Sequence, residues 1–414
     1  MARNDIIIGL DIGSSTIQCV VGEYPTGGEL QILGVAEVPS QGVRRGVVVD
    51  IEDASQAIRA AVEEAERSSG IPIEHAYVSI GGSHVSAEHS RGVVAVSRAD
   101  QEISEEDIHR AIQAAQALSL PPNREIIHVI PRAFKVDNEG GIKDPRGMSG
   151  VRLEVDALIV QAASPFVKNI VKCLAEVGVE PDGLVFDILA ASRAVLSKRQ
   201  KEIGVLLLDV GGGTCGTAVY EEGMIVSAEV LPVGASHITN DIAIGLRTTI
   251  EIAEQIKLSF GVARSEDVHR RETIKLSKIS AEEQGEVSRK EIVDIIEARL
   301  VEVLDIVNKG LKKIGRQGML PAGVVLVGGG VKIPQIVDLA KGTLKLPVQV
   351  GYPQELGGIL DKVQDPSFAT SVGLLLWGAD MLDQSGRKSF ALPYIPSLGQ
   401  SITKMKKWFR AFLP

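Results

Sequence analysis

The chain predicts an α/β fold built twice around a shared cleft, with a small inserted α+β domain and a separate C-terminal amphipathic helix. Three observations carry this. Two segments are near copies, Leu10-Asp-Ile-Gly-Ser-Ser-Thr16 and Leu208-Asp-Val-Gly-Gly-Gly-Thr214, each entered from one apolar run and leading into another. Strand-like and helix-like stretches alternate through most of the chain, the pattern of layered α/β domains with buried sheets. The texture changes over residues 83–162 and again after Asp383.

Size and composition set the bounds. At 414 residues the chain is long enough for two or more domains with real cores. Apolar content of 44% and charged content of 23% describe a soluble globular protein. Aromatic residues make up only 4%, so the cores must rest on Val, Ile, Leu and Ala. A net charge of −9 speaks against a nucleic-acid binder, which would carry a basic stripe. Cys19, Cys173 and Cys215 lack metal-ligand spacing and sit in apolar surroundings, so buried reduced thiols are expected. The first residues run straight into a strand with no signal-peptide pattern, and no run approaches the roughly 18 apolar residues of a membrane span. A cytoplasmic body is expected.

Taken in order, residues 6–38 read as three strands, and Ser40–Val49 as a Gly- and Arg-rich loop. Asp53–Ser69 has apolar residues at helical spacing and a charged opposite face. Ala76–Ile80 is a short buried strand broken by Gly81-Gly82. Within the insert, alternating stretches at Arg91–Ser97, Ile126–Val136 and Leu153–Val160 surround a helix over Glu105–Ser119, with Ser104 as its N-cap and a loop over Asn138–Gly150. A helix over Pro165–Val177, a strand over Gly183–Asp187 and one helix over Leu189–Gln200 follow. The second copy starts at Ile203 with strands to Val230, then helices over Ile250–Phe260 and Arg289–Lys313. Pro321–Gly330 reads as strand plus glycine turn, and Lys332–Leu344 as a helix with Pro334 in its first turn. The core closes with a helix over Pro366–Leu382, before a Ser-, Gly-, Pro- and Lys-rich linker.

The chemistry lies in the repeated turns. A strand–turn–strand of small residues leaves backbone N–H groups bare, and such a concave array holds phosphate oxygens. The Asp at each turn entrance suits hydrated Mg²⁺, which takes carboxylate oxygens and keeps several waters. Two such hairpins facing each other would clamp a nucleoside triphosphate. Three further elements accompany them in order: Phe186-Asp-Ile-Leu-Ala-Ala191, Gly328-Gly-Gly330 after four apolar residues, and the Gly-containing apolar helix Ser371-Val-Gly-Leu-Leu-Leu-Trp377. Plainer roles stay open: Asp187 as a helix cap, Glu254 and Lys257 as an exposed pair worth little, and Gly328–Gly330 as a tight turn. The 7 histidines show no ligand spacing, and His237 reads as structural. Gly-x-x-x-x-Gly-Lys-Ser/Thr and a Gly-x-Gly-x-x-Gly after the first strand are both absent.

This fivefold order resembles the actin/Hsp70/sugar-kinase superfamily, whose fold pairs two duplicated RNase H-like domains across a nucleotide cleft. The resemblance implies ATP with Mg²⁺ as cofactors. Asp11 and Asp209 would hold the metal through water, and Asp187 and Asp209 would serve catalysis, Asp187 by orienting the attacking water. The backbone of Gly13, Ser14, Ser15 and Thr16 and of Gly211, Gly212, Gly213 and Thr214 would meet the phosphates. Gly328, Gly329 and Gly330, with Glu254 and Lys257 three apart on one helix face, would meet the nucleoside, and Gly234 would be a further cofactor-binding position.

The tail is the second strong feature. On a helix, Ile402, Met405, Trp408, Phe409, Phe412 and Leu413 share one face, while Lys404, Lys406, Lys407 and Arg410 supply four cations with no acid nearby. Such a helix suits a membrane interface; docking on the protein itself or on a partner helix is the alternative. With the tail, Gly42-Val-Arg-Arg-Gly-Val-Val48, Val78-Ser-Ile-Gly-Gly82 and Val233-Gly-Ala-Ser-His-Ile-Thr-Asn-Asp241, the whole chain resembles the FtsA family of bacterial actin-like cell-division proteins. The family pattern implies a first subdomain at 1–82, 163–195 and 366–383, the family's insert at 83–162, and a second subdomain at 196–226 and 303–365. It further implies a partner-docking subdomain at 227–302, a linker at 384–400 and a membrane helix at 401–414. The implied partners are the FtsZ C-terminal peptide, docking at Arg299 and more weakly at Lys290, further copies of the chain in filaments, the inner membrane and later division proteins. The implied location is the cytoplasmic side of the membrane at the septum. Arg299 as a plain solvated charge, and a pilus or secretion scaffold as the function, remain the competing readings. The first turn departs from the common Gly-Thr-Thr by carrying Gly-Ser-Ser, which bears on rate only.

Overall fold

A computed structural model describes residues 5–25, 29–97, 100–117, 123–279, 285–359 and 361–386. Strands β1 (Asp5–Ile12), β2 (Thr16–Tyr24) and β3 (Leu30–Pro39) form an antiparallel meander. Between Ser40 and Val49 the expected loop carries a miniature hairpin, β4 (Val43–Arg44) and β5 (Val47–Val48). Helix α1 (Ile51–Ser69) follows, capped by the Asp50 side chain, which accepts the Asp53 N–H at 3.1 Å. Strand β6 (His75–Ile80) pairs parallel to β1.

The insert builds its own sheet from β7 (Val85–Ala95), β8 (Arg124–Val136), β9 (Glu139–Ile142) and β10 (Arg152–Ala163), with α2 (Glu105–Ala117) packed on one face. Ser104 caps α2 reciprocally with Asp107, which it contacts at 2.6 Å. β9 lies within the stretch expected to be loop; only 4 residues long and Gly-rich, it shows no alternation to read.

The chain returns through α3 (Ser164–Val177) and β11 (Glu180–Phe186), which lies parallel to β6. The single helix expected over Leu189–Gln200 is two, α4 (Asp187–Val195) and α5 (Lys198–Ile203), because Ser197 and Gln200 form a capping box that starts a new helix. The second half opens with β12 (Val205–Val210), β13 (Cys215–Glu221) and β14 (Met224–Leu231), again an antiparallel meander. Helices α6 (Ala235–Leu246) and α7 (Ile250–Phe260), a small hairpin of β15 (Thr273–Lys275) and β16 (Glu286–Ser288), and the long α8 (Arg289–Lys313) follow. Strands β17 (Val324–Val327) and β18 (Val348–Val350) continue the second sheet in parallel, with α9 (Ile336–Leu344) between them. Residues 332–335 do not belong to α9 as expected: a 3-10 turn spans Gly329–Lys332 and Gln335 is left-handed at φ +66°, so Pro334 precedes the helix. Finally β19 (Leu356–Gly358) joins the free edge of β3 and α10 (Ala369–Gly386) closes the first half.

The duplication is topological as well as local. The first sheet runs β11-β6-β1-β2-β3-β19 and the second β14-β13-β12-β17-β18. Without β19, each is the same five-stranded pattern: a three-stranded meander extended by two parallel strands on its first strand. The cores rest on Val, Ile, Leu and Ala, as the scarcity of aromatics requires. One joins the first sheet to one face of the second, through residues such as Val205, Leu207 and Val325, and the other lies on the second sheet's opposite face, with Leu206, Leu208 and Val324. Cys19, Cys173 and Cys215 are buried and free. No helix among the described residues is long and apolar enough to cross a membrane. Residues 387–414, with most of the expected linker and all of the tail helix, lie outside the described residues.

Helices α4 and α10 cross at close range beside the junction of the halves. A Cβ at Gly373 would run into the carbonyl oxygen of Ala190, which is why the apolar motif Ser371–Trp377 needs its glycine. We expect Gly373→Ala to destabilise the protein by about 1–3 kcal/mol through overpacking, despite its better helix propensity. Chemical denaturation of the two proteins measures this; equal midpoints would refute the contact.

Candidate functional site

Between the two halves lies a cleft of about 960 Å³, lined by both repeated turns. Ile12 pairs with Ile17 and Val210 with Cys215, so each hairpin encloses the same four-residue loop. Each Asp sits one residue before that last pair, Asp11 opposite Gln18 and Asp209 opposite Gly216. The loops face each other closely. A Cβ at Gly212 would strike the Ser15 hydroxyl, and one at Gly213 would stand 2.7 Å from Ser14 Oγ. The Ser-Ser of one turn and the Gly-Gly of the other are thus complementary. Ser14 Oγ also accepts the Gly46 N–H at 2.8 Å, tying the β4–β5 hairpin to the first loop.

Helix α6 begins directly on the second loop. Ala235 and Ser236 N–H donate to the carbonyls of Gly211 and Gly212, both at 2.9 Å. A Cβ at Gly234 would lie 2.5 Å from the Gly212 oxygen, so only glycine lets the helix start there. His237 has a structural role, its Nδ1 accepting the Gly234 N–H at 3.1 Å.

Three carboxylates converge in the cleft. Asp11 Oδ1 accepts a 2.6 Å bond from Ser79, whose Oγ accepts the Ile12 N–H at 2.9 Å. Burial still raises Asp11 to about 6. Asp209 is pushed up to about 7 by burial and by the Asp11 charge. Asp187, the first residue of α4, is raised well above the ordinary carboxylate range by burial, then by Asp209 and Asp11. Its Oδ1 accepts the Ile188 N–H at 2.6 Å, so the helix-start role holds alongside its place in the cleft. No Lys or Arg contributes to these shifts. Crowded acids without a counter-charge are the electrostatic signature of a cation site. Among the described residues no three His, Cys, Asp or Glu side chains are placed to ligate one ion. Carboxylate oxygens such as these suit a hard cation that keeps several of its waters, as Mg²⁺ does.

Glycines make room for these acids. A Cβ at Gly81 would collide with Asp187 Oδ2, and one at Gly328, at φ +90°, with Asp209 Oδ1. Gly329, Gly330 and Lys332 line the same wall. Opposite, Lys257 Nζ contacts Glu254 Oε2 at 2.7 Å and Thr239 Oγ1 at 2.9 Å. Lys257 is only 8% exposed and Glu254 41%, so the pair lines the cleft with its cation buried and its carboxylate reaching solvent. Arg299 and Lys290 do not line it. Arg299 makes a two-pronged bridge to Asp241 at 2.7 and 2.9 Å and also meets Glu302, while Lys290 pairs with Asp294 at 2.9 Å. The membrane residues expected between Ile402 and Leu413 lie outside the described residues.

Ser79, Gly81 and Thr239 are site residues that motif reading missed, although all three lie in stretches already singled out. A small polar residue at the buried end of a strand, next to Gly-Gly, was the available signal for Ser79.

The profile of the family "Cell division protein FtsA" matches residues 206–373, and that of the "SHS2 domain inserted in FTSA" matches residues 82–161. The cell division protein FtsA of Pseudomonas aeruginosa is 38% identical over 373 residues, covering 90% of this chain and 89% of the relative. The chain belongs to the FtsA family. FtsA of Bacillus subtilis is likewise 38% identical, across 95% of this chain and 88% of its own length, and that of Escherichia coli is 31% identical across 98% and 97%. Among solved structures, the PilM-PilN type IV pilus biogenesis complex superposes with a TM-score of 0.67 at 18% identity, covering 90% of this chain and 98% of the other. MreB 5 of Spiroplasma citri bound to AMPPNP gives 0.53 at 14% identity, covering 93% and 99%. The fold is actin-like, with an SHS2 insert.

A titration prediction follows from the raised acids. A carboxyl whose pKa is higher folded than unfolded favours the folded state most at low pH, and that contribution is lost as pH rises through the folded value. For Asp209 that value is about 7. Melting of the metal-free protein should therefore fall between pH 5 and pH 8. Asp209→Asn should flatten the fall, melting near the parent at pH 5 and on the order of 5 °C above it at pH 8. Parallel slopes for both proteins would contradict the crowding.

Proposed function

We propose that the chain is an ATP-binding, actin-like cell-division protein that polymerises at the cytoplasmic face of the cell membrane. There it anchors FtsZ filaments and helps bring in later division proteins. The observation that carries the nucleotide reading is the convergence of the half-buried Asp11, Asp187 and Asp209, with no ion-pair partner among the described residues, between two facing small-residue loops. Family membership supports the division role, and the AMPPNP held by an actin-like structural neighbour supports the choice of ligand.

In this reading, loop N–H groups of 13–16 and 211–214 receive the phosphate oxygens. Asp11 and Asp209 hold hydrated Mg²⁺, which when bound offsets the charge of the phosphates and of the acids. Phosphoryl transfer depends mainly on positioning and electrostatics, so what remains for the protein is to orient a water. Asp187 is suited to this: it faces the cleft and its raised affinity for a proton fits a group that accepts one. Thr239, Glu254 and Lys257 shape the nucleoside end. Turnover is expected to be slow, and occupancy of the cleft is what draws the two halves together for polymerisation. For the tail, each Lys or Arg near an anionic surface contributes roughly 1 kcal/mol, added to the burial of Trp408, Phe409 and Phe412. Relatives named for cell division align along nearly the whole chain, which favours this reading over the pilus scaffold whose fold the molecule shares.

Two measurements test the proposal. Asp209→Ala should weaken Mg²⁺-ATP binding by at least about 10-fold, as expected for loss of a charged partner worth ~1.5–3 kcal/mol; unchanged binding by calorimetry would remove the nucleotide reading. Anionic vesicles should sediment the full chain together with added FtsZ. A chain ending at Ser397 should leave both in the supernatant, and co-sedimentation of that truncated chain would remove the membrane reading.

A further inference from the structure

We infer that His128, on strand β8 of the insert, is the positioning residue for Asp187, so that the seat of this carboxylate depends on how the insert sits. The inference rests on the nucleotide reading of the cleft. No residue of 83–162 lines the cleft. The insert instead touches the strand that delivers Asp187. β11 is an edge strand of the first sheet, and β8 packs against it. At its end the Phe186 N–H donates to His128 Nε2 at 2.9 Å, with both residues buried.

Phe186 is the N-cap residue of α4, with extended φ −61° and ψ 121° and no side chain able to cap the helix. Asp187 follows it directly. Peptide planarity leaves only φ and ψ of Phe186, φ of Asp187 and the Asp187 side-chain torsions to adjust between the anchored N–H and the carboxylate. The carboxylate is confined on its other side as well, since it rests on Gly81 and takes the Ile188 N–H. The imidazole is itself held: Trp377 of α10 lies against it with ring centroids 5.1 Å apart and planes tilted by 52°. Acceptance at Nε2 puts the ring's one proton on Nδ1. Burial lowers the His128 pKa to about 3, so the ring stays neutral and the acceptor stays available at physiological pH. The insert therefore holds a lever on the water-orienting group that leaves both phosphate loops untouched.

The test compares the full-length parent with His128→Leu and His128→Gln. Leucine fills the space against Trp377 but cannot accept a hydrogen bond, whereas glutamine offers an amide oxygen. ATP affinity is read by calorimetry, and phosphate release is read at saturating Mg²⁺-ATP. His128→Leu should bind ATP within about 3-fold of the parent yet release phosphate about 10–100-fold more slowly, the pattern of a misplaced group that acts only in the transition state. His128→Gln should recover most of the rate. Parental release by His128→Leu would overturn the inference. So would a His128→Gln as slow as His128→Leu, because ring volume and not the acceptor would then matter. If His128→Leu fails to fold, His128→Gln against the parent decides alone, with a rate within about 3-fold supporting the inference and a larger loss overturning it. A parent that binds ATP but releases no phosphate overturns this inference and leaves the binding reading standing; a parent that binds no ATP overturns both.

Discussion

Three half-buried carboxylates held close together in the cleft, with no basic side chain paired to them among the described residues, are the costly feature around which this molecule is arranged. Left alone they repel, and burial denies them the water that would screen them. The surrounding structure accommodates each one separately. Ser79 donates to Asp11, Gly328 gives Asp209 room that any Cβ would take, and Gly81 does the same for Asp187. A protein has reason to keep such an arrangement where a cation and its anionic cargo complete it. The two facing loops, rich in backbone N–H and poor in side chains, are what that cargo would meet.

The rest of the fold serves to bring those three acids together from distant points in the chain. Asp11 and Asp209 arrive on equivalent strands of two sheets with the same topology. Asp187 arrives on neither repeated hairpin but at the joint between β11 and α4, beside the crossing of α4 and α10. That crossing depends on Gly373 lying against the backbone of Ala190. The insert stands outside the cleft, yet its His128 holds the peptide next to Asp187. Both halves, the crossing helices and the insert therefore converge on one small volume, and displacement of any of them bears on the acids.

Much of this was legible in advance because its causes are local. The repeated turns, helix α7 and helix α8 declare themselves through spacing, caps and small-residue runs. The failures are equally local in origin. The break between α4 and α5 turned on Ser197 competing for the backbone as a cap within an otherwise helical pattern. Gln335 in a left-handed conformation set the true start of α9, a backbone choice that composition does not display. Thr239 carries no chemistry of its own in the sequence; it matters only because α6 places it against Lys257.

By itself the sequence determined the duplicated α/β architecture, the inserted domain and the set of acids and glycines around a cleft, because strand, turn and helix signals act over a few residues. Only the tertiary structure decided that Ser79 serves Asp11, that the serines of one turn demand the glycines of the other, that Arg299 is bridged to Asp241, and that His128 anchors the approach to Asp187. Those pairings join residues 58 to about 200 positions apart in the chain. Their energies exist only once two sheets and an insert have packed, so no local pattern could announce them.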